Sequence, residues 1–556
     1  MFKPAIIQSL KNYNTKTFLS DLIAGLIVGI VSLPLSIAFA IASGASPERG
    51  IITSIIAGII IAIFGGSKVQ IAGPTGAFVI IIYGIIENFG MSGLLVTTIL
   101  AGLILIAFGI FKFGGLIKFI PHTIVTGFNA GIALSIFTSQ IGDFLGLQTG
   151  KMPIQFISKI SVYIKTIASL NIHALLLGTL SLAIIFLWPR ITKKIPGSII
   201  VILVATAISQ IFKLPIETIG SRYGSIPSTI PMPKIPSFSL DLLILLFPQA
   251  ISLAVLVSIE SLMTAVVADG MTGKKHNSNT ELIGQGIANI ICPLFGGLPS
   301  IGALARTATN VKNGGQTPIA SIVHSIVLLV IMLFLGQFVV FIPMAALAAI
   351  LISVAINMAG IKDIRFLLRG QKSDISVLVV TFLATVFIDL TVAIAIGLVL
   401  AAFLFIRKII EVSAVYTTNV QSQEIFQGLD EEFKTDVEEE ELSIPKGVLI
   451  YEIEGPLFFG TVQKFENAVA RAEVDFKVLI VRTRRMIYLD AGGLHALNQV
   501  QELCKRRNVQ LLISGIHTQP YTLLVKSGFE KKLGENAIFQ KIDDALAKAE
   551  ELIAAK

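Results

Sequence analysis

The sequence predicts an α-helical membrane protein of about fourteen spans, arranged as two inverted halves and followed by a small cytosolic α/β domain. Composition carries the first part of that expectation. Only 14% of the 556 residues are charged and 54% are hydrophobic, with mean hydropathy +0.83, whereas soluble domains are about 25% charged. Apolar runs near 22–42, 51–64, 93–111, 171–188, 196–212, 243–268 and 317–336 each approach the roughly 20 residues needed to cross a ~30 Å hydrocarbon core. An internal repeat carries the second part, and a collapse of hydropathy after Lys408 the third.

The segment 1–14 holds Lys3 and Lys11 and lacks a short apolar stretch ending at a small-residue cleavage site. It is expected to stay in the cytosol, with the first helix a permanent span. A first membrane half then covers 15–212. A connector at 213–242, with Pro215, Pro227, Pro231, Pro233 and Pro236, is expected outside, and a second half covers 243–412. The net charge of +8 (43 basic minus 35 acidic) does not point to nucleic acid, because the basic residues cluster at span ends. Lys112 and Lys118, Arg190 with Lys193 and Lys194, Lys274 with Lys275, Lys362 to Lys372, and Arg407 with Lys408 fall on one side. Fewer lie opposite, mainly Arg49, Lys151, Lys213, Arg222 and Lys234. That alternation places both termini in the cytosol, in the plasma (inner) membrane.

Residues 413–442 read as an acidic, solvated linker, and 443–556 as the α/β domain. Strands are expected at 448–453, 477–483 and 509–515, with helices at 461–473 and 492–506. Alternation of strand and helix implies a small sheet flanked by helices.

The repeat joins TSIIAGIIIAIFGG (53–66) to GQGIANIICPLFGG (284–297) at an offset of 231. Carried forward, that offset sets Ala72 to Gly76 against Ala303 to Thr307. Seven spans in each half make the repeats inverted, and paired interrupted segments at matching positions mark a transporter's binding site. In GPTGAF (73–78), Gly and Pro break one helix and Pro can open the next. GALARTATN (302–310) is expected to do the same from the opposite side. Two facing half-helix N-termini offer free N–H donors and about half a positive charge each, which suits an anion.

Two costly residues lie nearby in sequence. Arg306 between apolar stretches needs a cavity or a partner and is expected to attract the anion. Its alternatives are a scaffold ion pair, with Glu260 among the candidates, or snorkelling. Glu260 lies in SLAVLVSIESLMTAVV (252–267) with Thr264 one helical turn away. Carboxylate and hydroxyl are hard oxygen ligands for Na⁺, or the carboxylate carries a proton. No cofactor is expected beyond such a coupling ion. His122 and His324 lack metal-ligand spacing and read as structural. Asp143, Asp269 and Asp389 lie at span ends or turns. Cys292 and Cys504 form no disulfide framework, and no nucleophilic triad, phosphate loop or metal motif appears, so an enzyme is not expected.

These segments resemble the sulfate permease (SulP) family of anion transporters. The likeness rests on 21–44, SPERGIITSIIAGIIIAIFGGSK (46–68), QIAGPTGAF (70–78), ELIGQGIANIICPLFGG (281–297) and the Arg306 segment. Arg49 and Ile51-Ile52 depart from the family's usual aromatic stretch. The resemblance implies core and gate domains, a homodimer, and an anion site lined by Ser32, Phe39, Pro74, Thr75, Gly76, Ala303, Ala305 and Arg306. Glu260 and Thr264 would fall where bicarbonate-transporting relatives place a cation. Leu35 stands where some relatives have a glutamate. The tail resembles a STAS domain, whose loop at 488–497 has Ala491 and Gly492 in place of phosphorylatable serines, so it is expected to regulate or to dock a cytosolic partner. Within the family, 259–286 and GPLFFG (455–460) are most similar to bacterial C4-dicarboxylate transport proteins. Sulfate, bicarbonate and succinate or fumarate are the candidate substrates. The rivals are an uncoupled anion channel or exchanger, and a membrane-anchored STAS sensor.

Overall fold

A computed structural model describes residues 2–11, 13–115, 121–150, 152–192, 196–224, 229, 231–236, 240–388, 390–418, 444–465 and 476–555. They form two compact units, Met1–Ala401 and Ala402–Lys556. Lys118, Lys151, Lys193, Lys194, Asp389, most of the acidic linker and the end of the expected 461–473 helix lie outside the described residues.

A short helix, α1 (Ala5–Leu10), precedes the first span, and its Ala5 N–H donates to Gly65 O at 2.9 Å. Then come α2 (Thr15–Ala42), capped by the Asn14 side chain on Thr17 N–H, and α3 (Pro47–Phe64), which opens on a proline. An extended strand, β1 (Ala72–Gly73), leads through a 3₁₀ turn at Gly76–Phe78 into α4 (Val79–Ile110). Gly90, at φ +69°, breaks α4 into two legs. The half closes with α5 (His122–Leu145), α6 (Phe156–Thr166), α7 (Ile172–Ile191) and α8 (Gly197–Ile211).

The connector contains α9 (Ile219–Tyr223). The second half follows the same plan: α10 (Leu240–Thr272), α11 (Ser278–Leu294), β2 (Ile301–Gly302), α12 (Leu304–Lys312), α13 (Ile319–Val339), α14 (Met344–Met358), α15 (Ile361–Leu367), α16 (Lys372–Phe387) and α17 (Leu390–Val412). Among the described residues, nine helical stretches are long and apolar enough to cross a membrane. Gly90 divides one of these, α4, into two legs, and α8 is a shorter apolar helix of 15 residues. Large apolar side chains such as Leu203, Phe334 and Val399 stay exposed on the outer faces, a surface that lipid would cover.

The helices sort into two bundles. In one, α4 packs on α10 and α11, and α13 packs on α2 and α3, with α12 against α2 and α10. In the other, α5 packs on α14 and α16, and α7 on α8 and α14. Both halves contribute to each bundle.

The halves meet at a two-stranded antiparallel pair, with Ala72 opposite Gly302 and Gly73 opposite Ile301. Superposing the strands in chain direction sets Ala72 on Ile301, an offset of 229 (301 minus 72) rather than 231. The sequence alignment therefore slips by two residues past the FGG helix ends. The loop from Gly65 to β1 is two residues longer than its counterpart from Gly296 to β2, and a gap inside a loop is invisible to a fixed offset.

The second unit holds a five-stranded sheet in the order β3 (Ala414–Thr418), β4 (Val448–Glu454), β5 (Val478–Arg485), β6 (Gln510–Ser514), β7 (Ile538–Phe539). The first pair is antiparallel and the others parallel. The expected strands and the 492–506 helix (here α18, Ala491–Arg506) are present. Helices α19 (Thr518–Lys526), α20 (Phe529–Leu533) and α21 (Ile542–Ala554) complete the unit. The linker reading needs correction at its start: Ala414–Thr418 pairs with β4, because Val415 to Thr418 are strand-favouring residues ahead of the acidic stretch.

Candidate functional site

Both interrupted segments begin as extended backbone and turn into helix near the centre of the first bundle. Thr75 starts the 3₁₀ turn and Ala303 starts α12, each with an extended conformation. Around the β1–β2 rungs, Ala303 N–H donates to Ile71 O (2.8 Å) and Ile71 N–H to Thr307 Oγ1 (3.0 Å). Asn310 Nδ2 donates to Val69 O at 2.8 Å. Helix α10 holds this clasp from the side: Thr264 Oγ1 donates to Gly302 O (2.9 Å) and Ser261 Oγ accepts from Gly302 N–H (3.1 Å). These bonds pair much of the broken backbone, as buried irregular backbone in a membrane requires.

Arg306 sits in the first turn of α12, 2% exposed. Its guanidinium donates to Ser54 Oγ (3.0 Å), Ser36 Oγ (3.2 Å) and Pro74 O (3.1 Å). The ion pair with Glu260, one of the alternatives open at the sequence level, is not formed: the partners are hydroxyls and a carbonyl. The charge is therefore uncompensated by any carboxylate among the described residues. It binds the start of the second half-helix directly to the start of the first. Gly73 lets it approach, since a methyl there would lie 2.1 Å from Arg306 Nη1.

The other predicted residues divide into those gathered here and those set behind. Thr75 is partly buried, and its Oγ1 meets no hydrogen-bond partner. Phe39, 5% exposed, packs over Gly76. Ala303 is buried while Ala305 is exposed. Ser32 lies behind the site: its hydroxyl is 3.0 Å from His324 Nε2, and its carbonyl accepts from Ser36 Oγ (2.7 Å). Glu260 is half-buried and its Oε1 is buried without a partner. Thr264 has committed its proton to Gly302, so only its oxygen lone pairs remain for a cation.

Sequence reasoning missed Ser36 and Ser54, whose hydroxyls lie 2.7 Å apart beneath Arg306. Serines in apolar helices carry no signal of their own, although two buried hydroxyls could have been sought once Arg306 needed partners. It also passed over two fully buried carboxylates. Asp21 accepts from Gln316 N–H (2.7 Å) and Thr317 N–H (3.2 Å), and Glu281 from Gly66 N–H (2.8 Å) and Ser67 N–H (3.0 Å). Both fasten turns of one half to helices of the other. Arg49, off the family pattern, does similar work by donating to Gly296 O at 2.7 Å.

A cavity of about 1060 Å³ opens between the bundles. It borders the first leg of α4 at Val79 and Tyr83 and the ends of α2, α5 and α14, but does not include 74–76 or 303–306.

The pattern of the sulfate permease family matches residues 18–381, and that of the STAS domain matches 441–545. The chain belongs to the sulfate permease family. It is a membrane transporter and not an enzyme. YvdB of Bacillus subtilis (strain 168), a provisionally named sulfate transporter, is 41% identical over 96% of this chain and 98% of its own. The bicarbonate transporter BicA of Picosynechococcus is 30% identical over 95% of this chain and 94% of its own. The structure of the murine anion transporter Slc26a9 in an inward-facing state superposes with TM-score 0.86, covering 99% of this chain and 94% of that one at 22% identity. At that identity the likeness speaks for the fold alone, and the fold agrees throughout.

Proposed function

We propose that this permease carries a small oxyanion, sulfate or bicarbonate, across the plasma membrane by alternating access, with transport coupled to Na⁺ or H⁺. The observation that carries this reading is the clasped pair of half-helix starts with Arg306 between them. Free N–H donors and a buried guanidinium lacking a carboxylate partner among the described residues make a positive recess, and positive charge at a buried site favours an anion. Thr75, Gly76 and Phe39 from the first half, with Ala303 and Ala305 from the second, line it, while Pro74 and Ser32 act from behind. The names of the two relatives favour an oxyanion over a dicarboxylate, and succinate or fumarate become competitors in the assay.

Glu260 is the coupling residue. A membrane carboxylate with an unpartnered oxygen carries a cost that a proton or a sodium ion relieves, and added positive charge there strengthens the site for an anion. Thr264 supplies an oxygen one turn away. The C-terminal STAS domain, with Ala491 and Gly492 in the first turn of α18, regulates or docks a partner without phosphorylation at that loop. The basic span ends support cytosolic termini, and the protein acts as a homodimer.

The test is radiolabelled uptake into proteoliposomes, comparing sulfate, bicarbonate and succinate under imposed Na⁺ and H⁺ gradients. One anion driven by one gradient, with that dependence lost in Glu260→Gln, supports the coupled reading. Equal fluxes that ignore both gradients would identify an uncoupled channel or exchanger.

A further inference from the structure

Where the two bundles touch beside Gly76, three side chains close over the first half-helix start. A methyl built on Gly76 would lie 3.0 Å from Ile136 Cδ1, 3.3 Å from Phe39 Cε1 and 3.6 Å from Met358 Sδ. Phe39 and Gly76 belong to the first bundle, Ile136 (α5) and Met358 (α14) to the second. Ile136 is fully buried. The 1060 Å³ cavity stops at this contact: its lining includes Ser135, next to Ile136, Ala42, three residues after Phe39, and Val79, three after Gly76. Its lining also includes Met344 on α14. Met344 and Met358 are the two ends of α14, about 20 Å apart along the helix, so the contact lies far from the end of α14 that borders the cavity.

We propose that Ile136 and Met358, closing with Phe39 over Gly76, are the seal between the large inter-bundle cavity and the anion recess, and that their bulk sets which anions pass. The inference rests on the reading of the half-helix starts as the anion site. The physical argument is one of dewetting. Three apolar groups in contact leave no polar partner for a hydrated anion, so the path opens only when the bundles shift relative to each other. The aperture then exposed is bounded by the two side chains of the second bundle. Glycine at 76 suits this closure, because even a methyl there would press on Ile136 Cδ1 and Phe39 Cε1, which would have to give by a few tenths of an ångström.

The experiment is uptake of sulfate, bicarbonate and succinate by the full-length protein in proteoliposomes, for Ile136→Ala, Met358→Ala and the double variant. The expected result is anion flux that persists without a cation gradient, together with about a tenfold rise in succinate relative to the smaller anions, the scale on which pocket volume discriminates. Ile136→Phe is expected to shift the ratio the opposite way, and it keeps the test open if the alanine variants fail to fold. Thr75→Val is measured in parallel and is expected to raise KM through the recess itself. If Thr75→Val raises KM while the Ile136 and Met358 variants keep wild-type ratios and gradient dependence, the seal is wrong and the anion site stands. If Thr75→Val leaves KM unchanged and the seal variants still keep wild-type ratios, both readings fall.

Discussion

Replacing Arg306 by lysine separates its observed bonding from its proposed attraction of the anion. The guanidinium makes three hydrogen bonds, to Ser54 Oγ, Ser36 Oγ and Pro74 O, at 3.0, 3.2 and 3.1 Å. Lysine keeps the charge but not the planar fork that spans these partners, so at least one charged bond is lost, worth about 1.5–3 kcal/mol. If the fork holds the charge at the anion recess, the loss appears as roughly a 10- to 150-fold rise in KM, since 1.4 kcal/mol is tenfold. If it only staples α12 to α2 and α3, the loss appears as a lower melting temperature with KM unchanged. We expect the first outcome. The assay pairs uptake kinetics in proteoliposomes with thermal unfolding of the detergent-purified protein. A lysine variant with wild-type KM and a reduced melting temperature would refute the assignment of Arg306 to the anion.

Three further outcomes follow from the geometry. Glu260→Gln should abolish dependence on the driving cation while leaving some exchange of labelled against unlabelled anion; retained gradient dependence would remove Glu260 from coupling. Thr264→Val, nearly the same shape, deletes the bond to Gly302 O and should cost about 1 kcal/mol of stability, read as an earlier thermal transition; an unshifted transition means that this bond does not help hold β2, which Ser261 also holds. In the STAS domain, burial pushes the Cys504 thiol up to about 11, and the residue is 4% exposed. Thiolate is therefore scarce near neutral pH, and labelling by a maleimide should be negligible until the domain is denatured. Rapid labelling of the native protein would show that α18 opens readily.

Much of this architecture was legible because membranes impose simple rules. Apolar length gave the spans, and Gly73-Pro74 marked the broken helix. The interior polar contacts were not legible. Arg306 announced that it needed partners, yet Ser36 and Ser54 look like any small residues in an apolar helix, and only folding brings α2 and α3 beneath it. Asp21 and Glu281 fall near span ends, where a carboxylate normally meets water, so their burial against turns 295 and 215 positions away carried no local sign. The contact of Ser32 with His324 was not legible either, because a position in a family pattern fixes the helix but not the rotation of one side chain among tightly packed neighbours. The strand at Ala414–Thr418 was hidden by the strongly acidic residues that follow it.

The clasp of β1 on β2 also constrains how such a protein can diversify. The residues that pair the two halves, 71–73 and 301–303, lead directly into the two half-helix starts, so on the proposed reading a substitution there would alter folding and recognition together. The offset of 229 places Ala77 opposite Arg306 (306 minus 229), so the duplicated halves share a backbone but not a charge. On that reading, new substrate preferences could arise without breaking the clasp at positions whose side chains make no hydrogen bond to it, such as Thr75, Ala305 and Phe39. A lineage exploring new cargo would be expected to drift at these few points while the paired backbone around them stays fixed.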